Sequence, residues 1–430
     1  MVIKMREGKA IYNIAKKIYP ICRSITGNGV RETLAILQEY CPELNIKEVP
    51  SGTKVFDWTV PKEWNIRDAY IEDEEGNRVI DYREHNLHVM GYSTPVDRWV
   101  DKNELLKYIY VEEMQEDAIP YVTTYYKERF GFCMSKAKRD NLKDGMYHMV
   151  IDSSLEDGSL TYGEIILPGE SQKEVLISTY ICHPSMANNE CSGPALAIYI
   201  ASWIKNMKKR KYTYRLIFIP ETIGSITYLS LYKNELKKNV IAGFNLSCVG
   251  DDRAYSMIET RYGNTLTDKV LKNVLKYLQK EYKCYSYLQR GSDERQYNAP
   301  GIDLPVCSVC RSKYGEYPEY HTSLDDMSVI SPSGFQGSFN VMTQSILTLE
   351  YNEKYQVTCY CEPQLGKRGL YPTVSKKGQY DEVYKLTNMI AYADGTNDLI
   401  DISNRINVPV CEMIDNIEKL IENGLFKIAE

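Results

Sequence analysis

No stretch of this 430-residue chain reaches the eighteen or so apolar residues that a membrane-crossing helix needs. Its first residues, Met-Val-Ile-Lys-Met-Arg-Glu-Gly-Lys, also lack the apolar segment of a secretory signal. The sequence therefore reads as soluble, intracellular and cytoplasmic, with no membrane partner. Surplus positive charge is missing too: the net charge is −6, which gives nucleic acids and anionic membranes no electrostatic reason to bind. Internal repeats and low-complexity tracts are absent. Phenylalanine is scarce, eight against 36 tyrosines, but genome base composition explains that as readily as function does, and nothing is drawn from it. What is present is ordinary for a globular protein, with 43% hydrophobic and 26% charged residues, and the length suggests about three domains. Twelve cysteines in an intracellular chain are expected to stay reduced, and Cys22, Cys182 and Cys248 lie among apolar neighbours.

Helical spacing runs from about residue 8 to 40 (Ile11, Ile14, Ala15, Ile18, then Val30, Leu34, Leu37), broken at Thr26-Gly27-Asn28-Gly29. Residues of about 54 to 140 alternate short apolar patches with turns and read as a β-rich insert. From about 145 to 350, strands alternate with helices, as in a βαβ sheet. Strands are predicted at Glu174–Thr179, Tyr214–Ile219, Val240–Val249 and Leu304–Val309. Helices are predicted from near Gly193, over Ile226–Leu231, Leu266–Tyr277 and Phe335–Leu349. A Pro/Gly/Lys-rich link, Glu362–Gln379, leads to three helical pieces and a final strand, the outline of a winged helix. The expected domains are 1–48 with 140–360, an insert at 49–139, and a winged-helix module at 375–430. The fold class is α/β: a mixed, mainly parallel sheet flanked by helices, with the small β-rich insert and the winged helix added.

Three of the apolar runs end in polar or ionisable groups. Val175–Thr179 leads to Cys182-His183-Pro184, Leu216–Pro220 leads to Glu221, and Leu304–Val306 leads towards Glu319-Tyr320-His321. Buried parallel strands read as such runs, and chemistry gathers beyond their carboxyl ends. Of the five histidines, His183 and His321 have this setting, whereas His85 and His88 fall in the insert and His148 is isolated. Imidazole suits zinc, and Asp325 is placed to orient His321. Glu221 at a strand end either caps a helix or takes a proton from a water near a metal, and the two histidines favour the second reading. Arg290–Tyr297 is too charged for a core. It is either a solvated loop or a place where Asp293 and Glu294 meet a cation such as a substrate ammonium, and the second is preferred. Cys307-Ser308-Val309-Cys310 and Cys359-Tyr360-Cys361 are not read as a zinc site, because the first pair lies on a predicted strand.

Cys182-His183-Pro184-Ser185 with Ser192-Gly193, Pro220-Glu221-Thr222-Ile223-Gly224, Arg290–Tyr297, Tyr320-His321-Thr322-Ser323, and Phe56–Trp64 in the insert together resemble the aminopeptidase-like proteins often encoded with surface-polysaccharide biosynthesis genes. The resemblance extends over nearly the whole chain. That family is similar in turn to the di-zinc aminopeptidases. This implies a zinc-aminopeptidase-like sheet and metal-assisted amide hydrolysis, with His183 and His321 as ligands, Glu221 as general base, and Asp293, Glu294, Arg295 and Tyr320 around the substrate. Three carboxylates of the parent pattern are replaced, by Asn189, Thr222 and Ser247. Two zinc ions need carboxylates to neutralise and bridge them, so one zinc or none is expected, with Asn189 and Asp251 completing the ligands of that ion and Asp252 or Glu190 as substitutes. The expected activity is a mono-zinc hydrolase acting on a peptide-like small substrate. The alternatives are a mono-zinc acyl or aminoacyl transferase, as in the related glutaminyl cyclases, or a non-catalytic binding or regulatory protein. From Asp381 to Glu430 there are ten acidic residues against four Lys or Arg, so the tail is expected to serve a homo-oligomer or protein partner and not nucleic acid.

Overall fold

A computed structural model describes residues 5–278, 281–370 and 380–429, which fall into two compact units, Met1–Gly263 with Lys283–Phe339 and Asn264–Tyr282 with Asn340–Glu430. In the first, the apolar runs become the middle of an eight-stranded sheet. Its strands are β1 (Asn45–Pro50), β2 (Ser159–Leu167), β3 (Glu174–Tyr180), β4 (Thr213–Ile219), β5 (Val240–Leu246), β6 (Ser256–Ile258), β7 (Lys283–Tyr285) and β8 (Val306–Cys310). Their spatial order is β1-β2-β4-β3-β5-β8-β6-β7. Strands β4, β3, β5 and β8 run parallel, and antiparallel β2 and β6 flank them. Every residue of β3 and β8 is buried, which is why these strands read as unbroken apolar runs.

Helices α1 (Arg6–Ile18), α2 (Asn28–Gln38), α3 (Ser192–Lys205) and α4 (Ile223–Asn239) connect and flank the sheet. Helix α1 buries Ile11, Ile14, Ala15 and Ile18 and packs against α3. From β3 the chain passes through α3 to β4 on one side, then through α4 to β5 on the other. The strand order therefore reverses at β3 and β5, and a crevice opens past their carboxyl ends. Gly193 lets α3 start hard against that crevice: a Cβ there would lie 2.2 Å from Thr179 Oγ1 and 2.7 Å from the Leu246 carbonyl oxygen.

The insert is built on an antiparallel sheet of Arg78–Asp81, Glu63–Asp73, Met146–Glu156 and Val96–Asp101. Its strand Met146–Glu156 lies beyond residue 139, where the sequence reading ends the insert. The insert is fastened to the large sheet's unit by polar staples. Arg31 donates two hydrogen bonds to Glu63, at 2.7 and 2.6 Å, and the Trp64 amide donates to Thr26 at 3.0 Å.

The second unit holds the winged helix. Strand Lys354–Val357 lies between antiparallel Asp394–Asp398 and Phe426–Ile428, with helices Tyr380–Tyr392, Leu399–Ile406 and Val410–Glu422 packed on it through Leu386, Met389, Leu399, Ile402, Met413, Ile417 and Leu420. Asp398 and Asp401 cap the second helix reciprocally, and Asn407 ends it in the left-handed conformation. The sheet thus draws a strand from ahead of residue 375, while residues 371–379, which include most of the expected link's end, lie outside the described residues.

Candidate active site

His183 follows β3, Glu221 follows β4, and His321 arrives on the loop after β8. The centroids of the two imidazole rings lie 5.5 Å apart, and Glu221 Oε2 stands 3.8 Å from His183 Nε2. The loops that deliver these groups are strained. Ser185, Thr222, Cys248 and His321 all have positive φ without being glycine, a backbone state tolerated where surrounding contacts enforce it.

Those contacts are specific. Asp325, expected to orient His321, instead accepts from the backbone amides of Asn188 and Asn189 at 2.7 and 2.9 Å and from the Tyr317 hydroxyl at 3.0 Å. It holds the loop after His183. The imidazole of His183 is oriented by Glu190, a residue read only as a substitute ligand, whose Oε2 is 2.9 Å from His183 Nδ1. Behind Glu190 lies buried Arg23, with Nε 3.6 Å from Glu190 Oε1 and 3.1 Å from the His183 carbonyl oxygen. Burial pushes the Glu190 carboxyl up to about 8, but a guanidinium does not shed its proton, and a buried one needs a counter-ion. We therefore assign the Arg23–Glu190 pair as charged. The proton then sits on His183 Nδ1, and Nε2 turns a lone pair towards Glu221.

The polar run Arg290–Tyr297 serves the general-base candidate. Ser292 Oγ donates to Glu221 Oε1 at 2.8 Å, while Asp293 accepts from the Thr222 amide at 2.8 Å and Ser225 Oγ at 2.7 Å. Arg295 donates to Thr222 Oγ1. Burial, then the charge of Asp293, pushes the Glu221 carboxyl up to about 8, and burial raises Asp293 to about 6. Asp293 and Arg295 thus sit at this loop, each with one buried atom, Asp293 Oδ2 and Arg295 Nε, that finds no hydrogen-bond partner. Glu294 departs from its expected substrate role. It is buried and accepts from the amides of Gly291 and Ser292, from Tyr314, from Ser308 and from Asn245, so it braces its own loop.

Asp251 departs likewise from its expected place as a ligand. Both its oxygens are spent on Asn188 Nδ2, Ser312 and the Arg253 amide at 2.8–3.0 Å, because a carboxylate in a tight loop is captured by nearby amides. Asn189 donates to the Tyr180 hydroxyl at 2.7 Å, and that hydroxyl meets Ser247 Oγ at 2.6 Å. The Asn189 Oδ1 atom is buried without a hydrogen-bond partner, as is His321 Nε2. Aromatic rings wall the cleft. Tyr320 stacks on His321 at 3.9 Å, Tyr180 lies 5.3 Å from His183, and Tyr121 of the insert lies 4.9 Å from His183 and 5.1 Å from His321. Nothing in the local sequence marks Tyr121 for this place. The Tyr121 amide donates to the His321 carbonyl at 2.8 Å, and Pro120 bridges to Thr322.

These donors fit a zinc ion. Burial pushes both imidazoles down to about 3, with Arg23 adding to it at His183 and His183 adding to it at His321. The rings are therefore neutral near pH 7 and keep lone pairs for a metal. His183, His321 and the Asn189 carboxamide oxygen would hold the ion. Cys182, His183 and Glu190 also cluster within 4.8 Å, but that trio uses the nitrogen committed to Glu190, beside the Arg23 cation, so it is an orienting layer.

Residues 12–352 match the family described as a domain of unknown function (DUF4910), and residues 353–428 match a winged helix-turn-helix family. A Clostridium acetobutylicum protein, provisionally named a polysaccharide biosynthesis protein with an aminopeptidase-like domain, is 47% identical over 398 residues, 92% of this chain and 91% of its own. A crystal structure from the same species, provisionally named a peptidase, is 44% identical with a TM-score of 0.93, covering 99% of this chain and 97% of its own. BSAP, a zinc aminopeptidase from Bacillus subtilis, shares the fold at a TM-score of 0.58 and 12% identity, covering 80% of this chain and 94% of its own.

Proposed function

The chain belongs to the DUF4910 family, and from that membership and the geometry of the cleft we propose a zinc-dependent hydrolase of aminopeptidase type, cleaving an amide bond in a peptide or peptide-like conjugate. The supporting observation is the approach of two neutral imidazoles, His183 buried and His321 partly so, and one carboxyl group at a strand-order reversal, with His183 Nε2 3.8 Å from Glu221 Oε2. The provisional name of the Clostridium relative points to a sugar-bearing conjugate as the setting.

Zinc bound at His183 and His321 would supply Lewis acidity to the scissile carbonyl and to the attacking water. Glu221, tethered through Oε1 by Ser292, takes the water proton on Oε2 and hands it to the departing amine. Its raised affinity for a proton, from burial and from Asp293, suits both halves of that exchange near neutral pH. Glu190 and Arg23 hold the His183 ring in one orientation. The rings of Tyr121, Tyr180 and Tyr320 keep bulk water from the reacting atoms.

One ion is favoured over two. At the positions where the resemblance expects bridging and terminal carboxylates, Asn189 and Ser247 are linked through the neutral Tyr180 hydroxyl, and Thr222 is held by cationic Arg295. A second dication there would meet the fixed charge of Arg295, and the residues at those three positions carry no carboxylate of their own to bind it. Elemental analysis should find about one zinc per chain. The reading is tested by Glu221→Gln: turnover of aminoacyl p-nitroanilides or related amides should fall by at least 10³-fold with zinc content unchanged. Unaltered turnover in that variant removes the general base and the mechanism with it.

A further inference from the structure

The motif Phe56–Trp64 of the insert divides into two parts with different fates. Its second half is spent on structure. The Lys62 carbonyl accepts from Tyr92 at 2.5 Å, Glu63 pairs with Arg31, and Trp64 Nε1 donates to the Ser93 carbonyl at 2.9 Å. In its first half Val60 is buried and Trp58 packs against the core, whereas Phe56 and Asp57 stand exposed. Phe56 and Asp57 form the turn of the small hairpin Lys54–Val55 with Trp58–Thr59. Phe56 takes φ +54 there and leaves 53% of its surface exposed. A bulky aromatic in the left-handed region is costly, and an asparagine or glycine would make the turn more cheaply. The conformation holds the ring up over a groove of about 350 Å³ between the hairpin, α4 and the segment after Glu294.

That groove adjoins the segments that carry Glu221 and Arg295. Most of its lining is apolar, Phe56, Trp58 and Ile226 among it, and Asp57, Lys233 and Gln296 are its polar groups. The Ile226 amide donates to the Thr222 carbonyl at 2.9 Å, so the groove begins one helical turn beyond Glu221-Thr222. Gln296 follows Arg295, which donates to Thr222 Oγ1. A further exposed ring, Tyr126, packs edge-on against Trp58 at 5.7 Å and lies within electrostatic reach of Arg295. Lys233 Nζ sits 5.8 Å from the centre of the Phe56 ring.

We infer that this groove is a subsite for a pyranose ring, the glycosyl portion of an amide-linked conjugate whose scissile bond lies at Glu221. The inference rests on the hydrolase reading above and adds to it the chemical class of the group beyond the scissile bond. A pyranose presents a face of C–H groups, which stacks on flat aromatic rings, and an edge of hydroxyls, which needs both donors and acceptors. Phe56 and Trp58 offer the first surface. Asp57 accepts, Lys233 donates, and Gln296 does both. An aliphatic or aromatic side chain would leave those three polar groups without a role, and a purely anionic ligand would meet Asp57. The volume falls at the small end of ligand-sized clefts, enough for a sugar ring or two.

The test uses the full chain and saturation-transfer NMR with methyl pyranosides of glucose, galactose, N-acetylglucosamine and N-acetylgalactosamine, with leucinamide and phenylalaninamide as rivals. At least one pyranoside should receive saturation at its ring C–H protons, with millimolar affinity. Phe56→Ala should weaken it at least fivefold and Gln296→Ala at least threefold, with melting temperatures unchanged. Trp58→Phe, which keeps an aromatic face, should weaken it less than Phe56→Ala does. Absence of transfer to all four pyranosides overturns the subsite, and so does transfer that Phe56→Ala leaves intact. Binding of the amides in place of the sugars, lost in Phe56→Ala, also overturns it in favour of a side-chain pocket. Glu221→Gln protein should bind the sugar as the parent does. A failed hydrolase reading would therefore show in turnover alone, and a failed subsite in binding alone.

Discussion

Arg23, Glu190 and His183 form a row in which each group accounts for the next. A buried guanidinium demands an anion, the anion fixes a proton on Nδ1, and Nε2 is left free to bind a metal. Glu190→Gln should therefore weaken zinc binding by about 10- to 100-fold, measured by chelator competition on the folded fraction. An affinity equal to that of the parent would mean Glu190 only packs. The approach of His183, His321 and Glu221 to one another was legible in the sequence because each follows a run that is apolar enough to be a buried strand. Glu190 and Ser292 were not legible in these roles. Glu190 lies seven residues from His183 on a loop whose turn cannot be read from composition, and Ser292 reaches Glu221 across 71 residues. Asp251 and Glu294 misled for a physical reason: a carboxylate in a tight polar loop serves backbone amides as readily as it serves a ligand.

At the scale of elements, the parallel strands β3, β4, β5 and β8 and their helices lie close to the expected residues, since burial on both faces leaves no ambiguity of pattern. Strand β2 escaped notice. It is buried almost throughout, yet carries Glu164 in its middle, which is neutralised by Lys47 and Arg215 and hydrogen-bonded by Tyr228, all from neighbouring elements. No local rule marks a carboxylate as interior when its partners are that distant. The brace between α2 and the insert can be tested by pH. The hydrogen bonds from Arg31, opposed by burial, hold the Glu63 carboxyl down to about 2. A depressed carboxyl stabilises the fold above its unfolded value and loses that contribution as pH falls towards its folded one. Glu63→Gln should thus be less stable than the parent by roughly 1–2 kcal/mol at pH 7, with the gap closing between about pH 4.5 and 2. A gap that persists at the acid end, followed by thermal melting, would assign the loss to packing instead.

Across the whole molecule, the order of sheet, insert and winged helix was visible as changes of texture along the chain. What composition could not show is that insert residues wall the cleft, because the contact of Tyr121 with both imidazoles depends on a fold that brings residue 121 to residue 321. The tail carries the helix-turn-helix outline, but the exposed side of Val410–Glu422 presents Glu412, Asp415, Glu418 and Glu422 against Lys419. Binding to duplex DNA gains most of its free energy from phosphate neutralisation, so the full chain should show no salt-sensitive retention on DNA. Retention that fades between about 50 and 200 mM salt would reverse that assignment.

On the zinc-hydrolase reading, the hydrogen bond from the Tyr121 amide to the His321 carbonyl makes a built-in gauge of metal loading. Whatever immobilises the His321 side chain also steadies the acceptor of that bond, so deuterium should enter at Tyr121 more slowly in zinc-loaded protein than after chelation, while amides in the middle of β3 exchange alike in both. A single backbone proton, two hundred positions away along the chain, would then report occupancy without any substrate.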